Sequence, residues 1–207
     1  MANLGYLDLR PPPTAERPLS ARALAVVLAA GGLVGFAAAF VLAVEKFRLL
    51  TDPFYTPSCT LNATLSCGPV MSSPQAEVFG FPNPLLGIAG FAVVAATGAV
   101  LLAGGRVAGW YWAGLQAGVT AAVVFVHWLI VQSLFVIGAL CPYCMVVWTV
   151  TIPLFWYVTL RNLAAVAPRL PTAGRNAVGF LLRYHSSLLL LWLAAVAGLV
   201  VASVGLR

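Results

Sequence analysis

The chain alternates long apolar segments with short polar ones. Three runs without a formal charge, residues 23–44, 84–105 and 186–206, have 21 or 22 residues each. A helix of about 20 residues crosses the hydrocarbon core of a bilayer. Each run therefore predicts one transmembrane helix.

A fourth uncharged run, residues 107–160, is too long for a single span. Its 54 residues would form a helix of about 80 Å, against a hydrocarbon core of about 30 Å. The best break lies at Cys141-Pro142, because proline favours the first helical turn and the residue before it avoids helical angles. We expect two helices here, with a turn at residues 138–142.

These runs together predict an all-α integral membrane protein with five spans. The first run is expected to be an anchor and not a cleaved signal peptide, because it is too long and no A-x-A-like site follows it. Residues 1–22 are expected to form a disordered cytoplasmic tail. Residues 161–185 are expected to form a basic cytoplasmic linker that contacts anionic lipid, and residues 186–207 form the fifth helix.

Composition supports the membrane class. Hydrophobic residues make up 62% of the 207 positions and charged residues only 8%, whereas about a quarter of a soluble domain is charged. The net charge of +6 comes from a scarcity of acidic residues. No basic stripe interleaved with aromatic residues occurs, so we expect membrane lipid and no nucleic acid as a partner.

The distribution of Arg and Lys predicts the orientation, because cytoplasmic loops are enriched in both. With the N-terminus inside, the inner segments hold Arg10, Arg17, Arg22, Arg106, Arg161, Arg169, Arg175 and Arg183. The outer segments hold Lys46, Arg48 and Arg207. We therefore expect the N-terminus in, the C-terminus out, and the loop of residues 45–83 outside together with the turn at Cys141.

The second half of this outer loop predicts a short amphipathic helix. Ser73 is suited to cap it, Pro74 to occupy its first position, and Gly80 to end it. Its apolar side would comprise Met71, Val78, Phe79 and Phe81. Such a helix would lie on the membrane face and form a lid over the bundle. The alternative is a flexible surface loop with scattered apolar residues.

Four cysteines fall on the predicted outer side, where disulfides are stable. Cys141 and Cys144 form a C-x-x-C pair that opens a helix, where the helix dipole and free N–H groups lower the pKa of the first thiol. Cys144 lies one turn further, on the same face. Cys59 and Cys67 form a second pair with seven intervening residues. Two pairs in one leaflet suggest a thiol–disulfide relay.

Two other interpretations of the cysteines remain open. A structural zinc site is disfavoured by the spacing and by an oxidising compartment, and we expect no metal. Alternatively, both pairs could be inert disulfides that hold a transport or structural bundle together.

A relay that ends in a bilayer needs an electron acceptor there, and a quinone, either menaquinone or ubiquinone, is the obvious one. Its pocket should be mostly apolar with a few polar groups for the ring carbonyls. Near the outer leaflet the candidates are Asn83, at the start of the second span, and Trp148, one turn below Cys144. The lid would add Met71 and Phe79.

His127 lies inside the third predicted span. Intramembrane ionisable residues are functional candidates by default. The alternative is a neutral histidine that is hydrogen-bonded between helices.

The segment "SCTLNATLSCGPVMSSPQAEVFGFPNPLLGIAGF", followed after some fifty residues by "ALCPYCMVVW", resembles the bacterial branch of the vitamin K epoxide reductase family. The resemblance covers about residues 23–160, and the family has a four-helix catalytic core. Many bacterial members carry a fused thioredoxin-like domain, and we expect this chain to be a single-domain form without it. The resemblance therefore implies a separate DsbA-like or thioredoxin-like partner outside a bacterial cytoplasmic membrane.

The resemblance also implies the role of each site residue. Cys141 and Cys144 would form the active-site disulfide, with Cys144 facing the quinone, while Cys59 would meet the partner and Cys67 would exchange with Cys141. Asn83 would donate to a quinone carbonyl. Trp148 falls where vertebrate members have a tyrosine.

The function expected from this resemblance is that of a quinone-dependent thiol oxidase that supports disulfide formation in exported proteins. Reduction of vitamin K epoxide by the same cysteines is the alternative within the family. A non-enzymatic bundle with structural disulfides is the alternative outside it.

Overall fold

The structure is a computed structural model that describes residues 20–52, 54–62 and 64–205. Almost all of the predicted tail of residues 1–22 therefore lies outside the described residues. The described part has no strands and folds into the helices α1 (Ala21–Thr51), α2 (Cys67–Met71), α3 (Pro84–Leu102), α4 (Gly109–Val131), α5 (Pro142–Val166), α6 (Thr172–Arg183) and α7 (His185–Gly205).

Five of these helices are long and apolar enough to cross a membrane. They are α1, α3, α4 with its π-helical extension to Ile137, α5 with its 3-10 extension to Arg169, and α7. The turn between α4 and α5 lies at the predicted place, with Gly138 in a left-handed conformation (φ 77°) and Cys141 as the N-cap of α5. The prediction of an all-α membrane bundle with five spans is confirmed.

The centre of the bundle is the contact of α1 with α3, which brings the two backbones together. A β-carbon built on Gly98 of α3 would lie 2.2 Å from the backbone nitrogen of Ala29, and one on Gly32 of α1 would lie 2.5 Å from that of Ala95. Small residues allow such close packing in lipid, where helix association depends on van der Waals contact. α5 packs against α1 and α4 and completes the core.

The fifth membrane helix, α7, lies at the margin of the bundle and is mostly exposed. Its Trp192 donates from the indole nitrogen to Nε2 of His127 on α4 (3.0 Å). Nδ1 of His127 lies 2.8 Å from the carbonyl of Val123. Because Nε2 accepts a hydrogen bond, Nδ1 carries the proton, so this ring is neutral. His127 thus links two helices, in agreement with the second interpretation of this residue.

Helical structure continues across two of the predicted boundaries, while the division into domains stays a prediction. The first span was expected to end at residue 44, but α1 continues to Thr51, so the outer loop begins at Asp52. Residues 161–185, expected to be a linker, are mainly helical, since α5 runs to Val166 and α6 follows. The amphipathic side of α6 packs against the end of α5, where a small cluster buries Leu160, Val178 and Leu182.

The lid consists of two short helices where one was predicted. An α-helix covers Cys67–Met71, and a 3-10 helix covers Pro74–Glu77 with Pro74 in its first turn, as expected. Ser73 does not cap through its side chain, because its hydroxyl donates to the carbonyl of Val70 (2.7 Å). Gly80 has a φ of 80° and follows the second helix, so it ends the lid as predicted.

Candidate redox site

A short backbone pairing brings the two cysteine segments together. Leu65 and Leu140 form an isolated parallel bridge. The amide of Ser66 donates to the carbonyl of Leu140 (2.9 Å), and the amide of Leu140 donates to the carbonyl of Thr64 (2.8 Å). Because Cys67 and Cys141 directly follow two of these residues, the bridge aligns their side chains.

The sulfur atoms lie at exchange distance. Cys59 and Cys67 form a disulfide, while Cys141 and Cys144 are reduced. The Sγ of Cys67 lies 3.0 Å from the Sγ of Cys141, and both residues are fully buried. This arrangement holds a free thiol against a disulfide, as thiol–disulfide exchange requires.

Three sulfurs, those of Cys59, Cys67 and Cys141, lie within 4.8 Å of one another, a spacing that could also hold a metal ion. Two of them are joined in a disulfide and therefore cannot both act as thiolate ligands. In this redox state the cluster is arranged for exchange.

The position of Cys141 at the start of α5 favours its thiolate. A hydrogen bond from the thiol of Cys144 lowers the pKa of Cys141, and the amides of Cys144 (3.4 Å) and Tyr143 add to this effect. Burial acts in the opposite direction but is outweighed. Cys141 is therefore both a better nucleophile and a better leaving group than an ordinary buried thiol at neutral pH.

We predict that removing the thiol of Cys144 raises the pKa of Cys141. Because its pKa is lowered, Cys141 stays a thiolate at pH values where an unperturbed thiol is already protonated. In Cys144→Ala the thiolate should be lost at higher pH than in the wild type. Ultraviolet titration of the thiolate measures the shift in a background with Cys59 and Cys67 replaced by alanine, where Cys141 has no disulfide to attack, and with Cys141→Ser as the blank. Coinciding titration curves would contradict this origin of the low pKa.

A large apolar cavity of about 690 Å³ lies below the cysteines. It is lined by residues of α1, α3, α4, α5 and the lid, and the half-buried Cys144 opens into it. The residues predicted for a quinone pocket all line this cavity, namely Met71, Phe79, Asn83 and Trp148. Cys144, which can form a disulfide with Cys141, thus faces a cavity that suits an apolar ring compound.

The amide of Asn83 presents an acceptor to this region. Its Nδ2 donates to the carbonyl of Gln75 (2.7 Å), which fixes the orientation of the amide. Its Oδ1 is buried, with no hydrogen-bond partner among the described residues. A buried, unpaired oxygen is costly unless a ligand supplies the donor. The expected role was donation to a carbonyl, whereas the free atom suits the hydroxyl of a quinol, the reduced form of a quinone.

Cys59, which the resemblance assigns to the partner protein, is only 5% exposed. A protein thiol can reach its sulfur only if the segment around it shifts.

Glu45 and Lys46 had no predicted role in the site. Residue 45 only marked the start of the outer loop, and Lys46 was counted only as a charge. Both prove to be buried next to the loop, and the signal in the sequence was an adjacent pair of opposite charges at the end of an apolar run.

A family model described as the vitamin K epoxide reductase family matches residues 26–159. Among curated proteins, none matches the chain. The matched region covers well over half of the 207 residues and contains both cysteine pairs and the lid. This chain, a multi-pass membrane protein with the sulfur geometry described above, therefore belongs to the vitamin K epoxide reductase family of membrane redox proteins.

Proposed function

We propose that this protein is a membrane thiol oxidase that moves electrons from a reduced DsbA-like or thioredoxin-like protein to a quinone. The observation that carries the proposal is the contact of 3.0 Å between Cys67 and Cys141 directly above an apolar cavity that Cys144 enters. We assign the cysteines to the outer side of a bacterial cytoplasmic membrane, with the N-terminus inside.

The first steps transfer electrons between the two pairs. A donor thiol attacks Cys59, and the second donor thiol then completes the donor disulfide, leaving Cys59 and Cys67 reduced. The thiolate of Cys67 attacks Cys141 of the Cys141–Cys144 disulfide, and Cys144 leaves as a thiolate. Cys59 then attacks Cys67 and expels Cys141, whose lowered pKa makes it a good leaving group.

This sequence produces the redox state that the structure holds, with Cys59–Cys67 closed and Cys141 and Cys144 reduced. The two thiols then give two electrons and two protons to the quinone substrate, and the Cys141–Cys144 disulfide forms again. Asn83 is placed to accept a hydrogen bond from a hydroxyl of the quinol product. Every 30 mV between donor and acceptor contributes about 1.4 kcal/mol to such a two-electron step.

The function is tested by measuring quinol formation in detergent with a reduced DsbA-like donor. We expect one quinol for each donor disulfide formed, and loss of this coupling in each of the four single-cysteine variants. Vitamin K epoxide is assayed in parallel with menaquinone and ubiquinone. Faster turnover of the epoxide would favour the alternative within the family. If no substrate changes the redox state of the cysteines, the result would favour a non-enzymatic bundle with structural disulfides.

Replacing Asn83 with leucine should weaken binding of the quinol. The variant loses the hydrogen bond that Oδ1 would accept from a quinol hydroxyl, so we expect Kd for the quinol to rise about tenfold, which corresponds to about 1.4 kcal/mol. Exchange between Cys67 and Cys141 should be unchanged. Titration of the protein with quinol measures the effect, and Asn176→Leu on the exposed side of α6 is the control. An unchanged Kd would remove Asn83 from the proposed site.

The isoprenoid tail of the quinone is proposed to lie along α4. The lining residues of this helix extend from Trp110 to Leu129, about 30 Å along its axis. Gly118 lines the cavity, and a β-carbon on it would meet nothing within 4 Å, so the backbone leaves room for a side chain to enter the cavity at this position.

We expect Gly118→Leu to raise KM about tenfold for a long-tailed quinone and to leave a tail-less analogue within about twofold, because only the tail would meet the new side chain. Parallel kinetics with both substrates decide the matter. Equal effects on the two would place the tail elsewhere.

A further inference from the structure

Two adjacent charged residues at the outer end of α1 are almost completely buried. Glu45 is 4% exposed and Lys46 is 7% exposed. Burial of a charge is unfavourable unless the charge is paired and hydrogen-bonded. Because neighbours on a helix point in different directions, each of these side chains reaches a different half of the outer loop.

Glu45 holds the half that contains Cys59. Its carboxylate accepts from the hydroxyl of Ser58 (2.6 Å), from the amide of Ser58 (3.2 Å) and from the hydroxyl of Tyr55 (2.8 Å). Charge-assisted hydrogen bonds of this kind are short and strong. Ser58 is the residue before Cys59, so the contact fixes the backbone next to that sulfur.

Lys46 holds the half that begins with Cys67. Its ammonium group donates to the carbonyl of Met71 (2.7 Å), the last residue of α2. The same group lies 2.8 Å from the carboxylate of Glu77 at the end of the 3-10 helix. Lys46 therefore ties both lid helices to α1.

We propose that Glu45 and Lys46 are positioning residues of the relay, which hold the Cys59–Cys67 disulfide against Cys141 from the two sides. The inference rests on the proposed function. The two residues act on exchange between the cysteine pairs, not on electron transfer to the quinone. Glu45 is well suited to separate these two effects, because it does not line the cavity.

The exchange step can be isolated in a Cys144→Ser background. There the thiolate of Cys141 attacks Cys67, a Cys67–Cys141 bond forms, the Cys59–Cys67 bond breaks, and Cys59 leaves as a thiolate that a maleimide captures. Acid-quenched samples and non-reducing peptide mapping follow the crosslink over time. Neither a donor protein nor a quinone is required.

We expect Glu45→Ala and Lys46→Met each to slow crosslink formation about tenfold, the factor that about 1.4 kcal/mol of lost positioning gives. Lys46→Arg should restore the rate to within about threefold. Arg22→Met is the control, because it removes an exposed charge from the other end of α1, far from the outer loop, and its rate should stay within about twofold. Glu45→Gln keeps the shape of the side chain and provides a folded variant if Glu45→Ala is unstable.

Quinol formation serves as the control for general damage, because damage to the whole fold would slow this step as well. Pre-reduced Glu45→Ala should form quinol in a single turnover at the wild-type rate. Unchanged crosslinking in both variants, or equal slowing in Arg22→Met, would overturn the positioning role. If the parent Cys144→Ser forms no crosslink at all, the proposed relay itself fails, so the two failures are distinguishable.

Discussion

Replacing Cys144 with serine should stop quinol formation, with a loss of about a thousandfold or more, because residues that act as one unit cannot substitute for each other. In the proposed relay, the reducing equivalents then have no exit into the cavity. The thiolate of Cys141 still lies 3.0 Å from Cys67, so a Cys67–Cys141 disulfide should accumulate when released Cys59 is captured.

Non-reducing peptide mapping and quinol absorbance measure the two effects of Cys144→Ser together. Cys144→Ser combined with Cys67→Ser is the control, since it should be equally inactive but form no such crosslink. A variant that retains a tenth of the activity, or one in which only the Cys59–Cys67 bond is found, would contradict the route through Cys144.

Replacing Gly98 with leucine should have the largest effect on stability. The backbones of α1 and α3 meet at this glycine, where a β-carbon would lie 2.2 Å from the nitrogen of Ala29. Since the obstacle is backbone, the two helices must separate. We expect a loss of about 3 kcal/mol or more, equivalent to a decrease in Tm of about 10 °C for a chain of this size.

The matched control for Gly98→Leu is Gly198→Leu on α7, where a β-carbon meets nothing within 4 Å. Thermal melting in detergent compares the two, and Gly198→Leu should melt within about 2 °C of the wild type. Equal destabilisation by both substitutions would show that the close contact of α1 with α3 is not the cause.

The membrane architecture could be predicted from the sequence because one physical effect dominates it. In lipid, the backbone N–H and C=O groups of an uncharged run of about 20 residues can be paired within the run only if it forms a helix, and Pro142 marks the reversal between α4 and α5. The ends of the helices were harder to predict. α1 extends beyond residue 44 because Glu45 and Lys46, which look like the start of a loop, form buried contacts in the structure.

The redox site was predictable only in part. The helix-initiating position of Cys141 follows from the C-x-x-C-containing sequence and Pro142. Its contact with Cys67 depends on the bridge between Leu65 and Leu140, which joins segments some seventy residues apart and has no local signature. The acceptor orientation of Asn83 likewise depends on the carbonyl of Gln75, which only the folded lid brings near.

The helix α6 was missed for a different reason. The region was interpreted as a basic linker, and its Gly174, Gly179 and Pro171 are residue types that usually punctuate loops. The spacing of Val178 and Leu182 is that of one helical face, and their burial against Leu160 compensates for the weak intrinsic helix propensity of glycine.

In the proposed mechanism, Cys141 and Cys144 pass electrons to a quinone while the Cys59–Cys67 disulfide stays closed. Protein prepared in that state and mixed anaerobically with one equivalent of quinone tests it in a single turnover. We expect one quinol per chain, a new Cys141–Cys144 disulfide, and the same yield from a variant with both Cys59 and Cys67 replaced by alanine. Quinol formation that requires Cys59 and Cys67, or no quinol while Cys141 and Cys144 remain reduced, would contradict it.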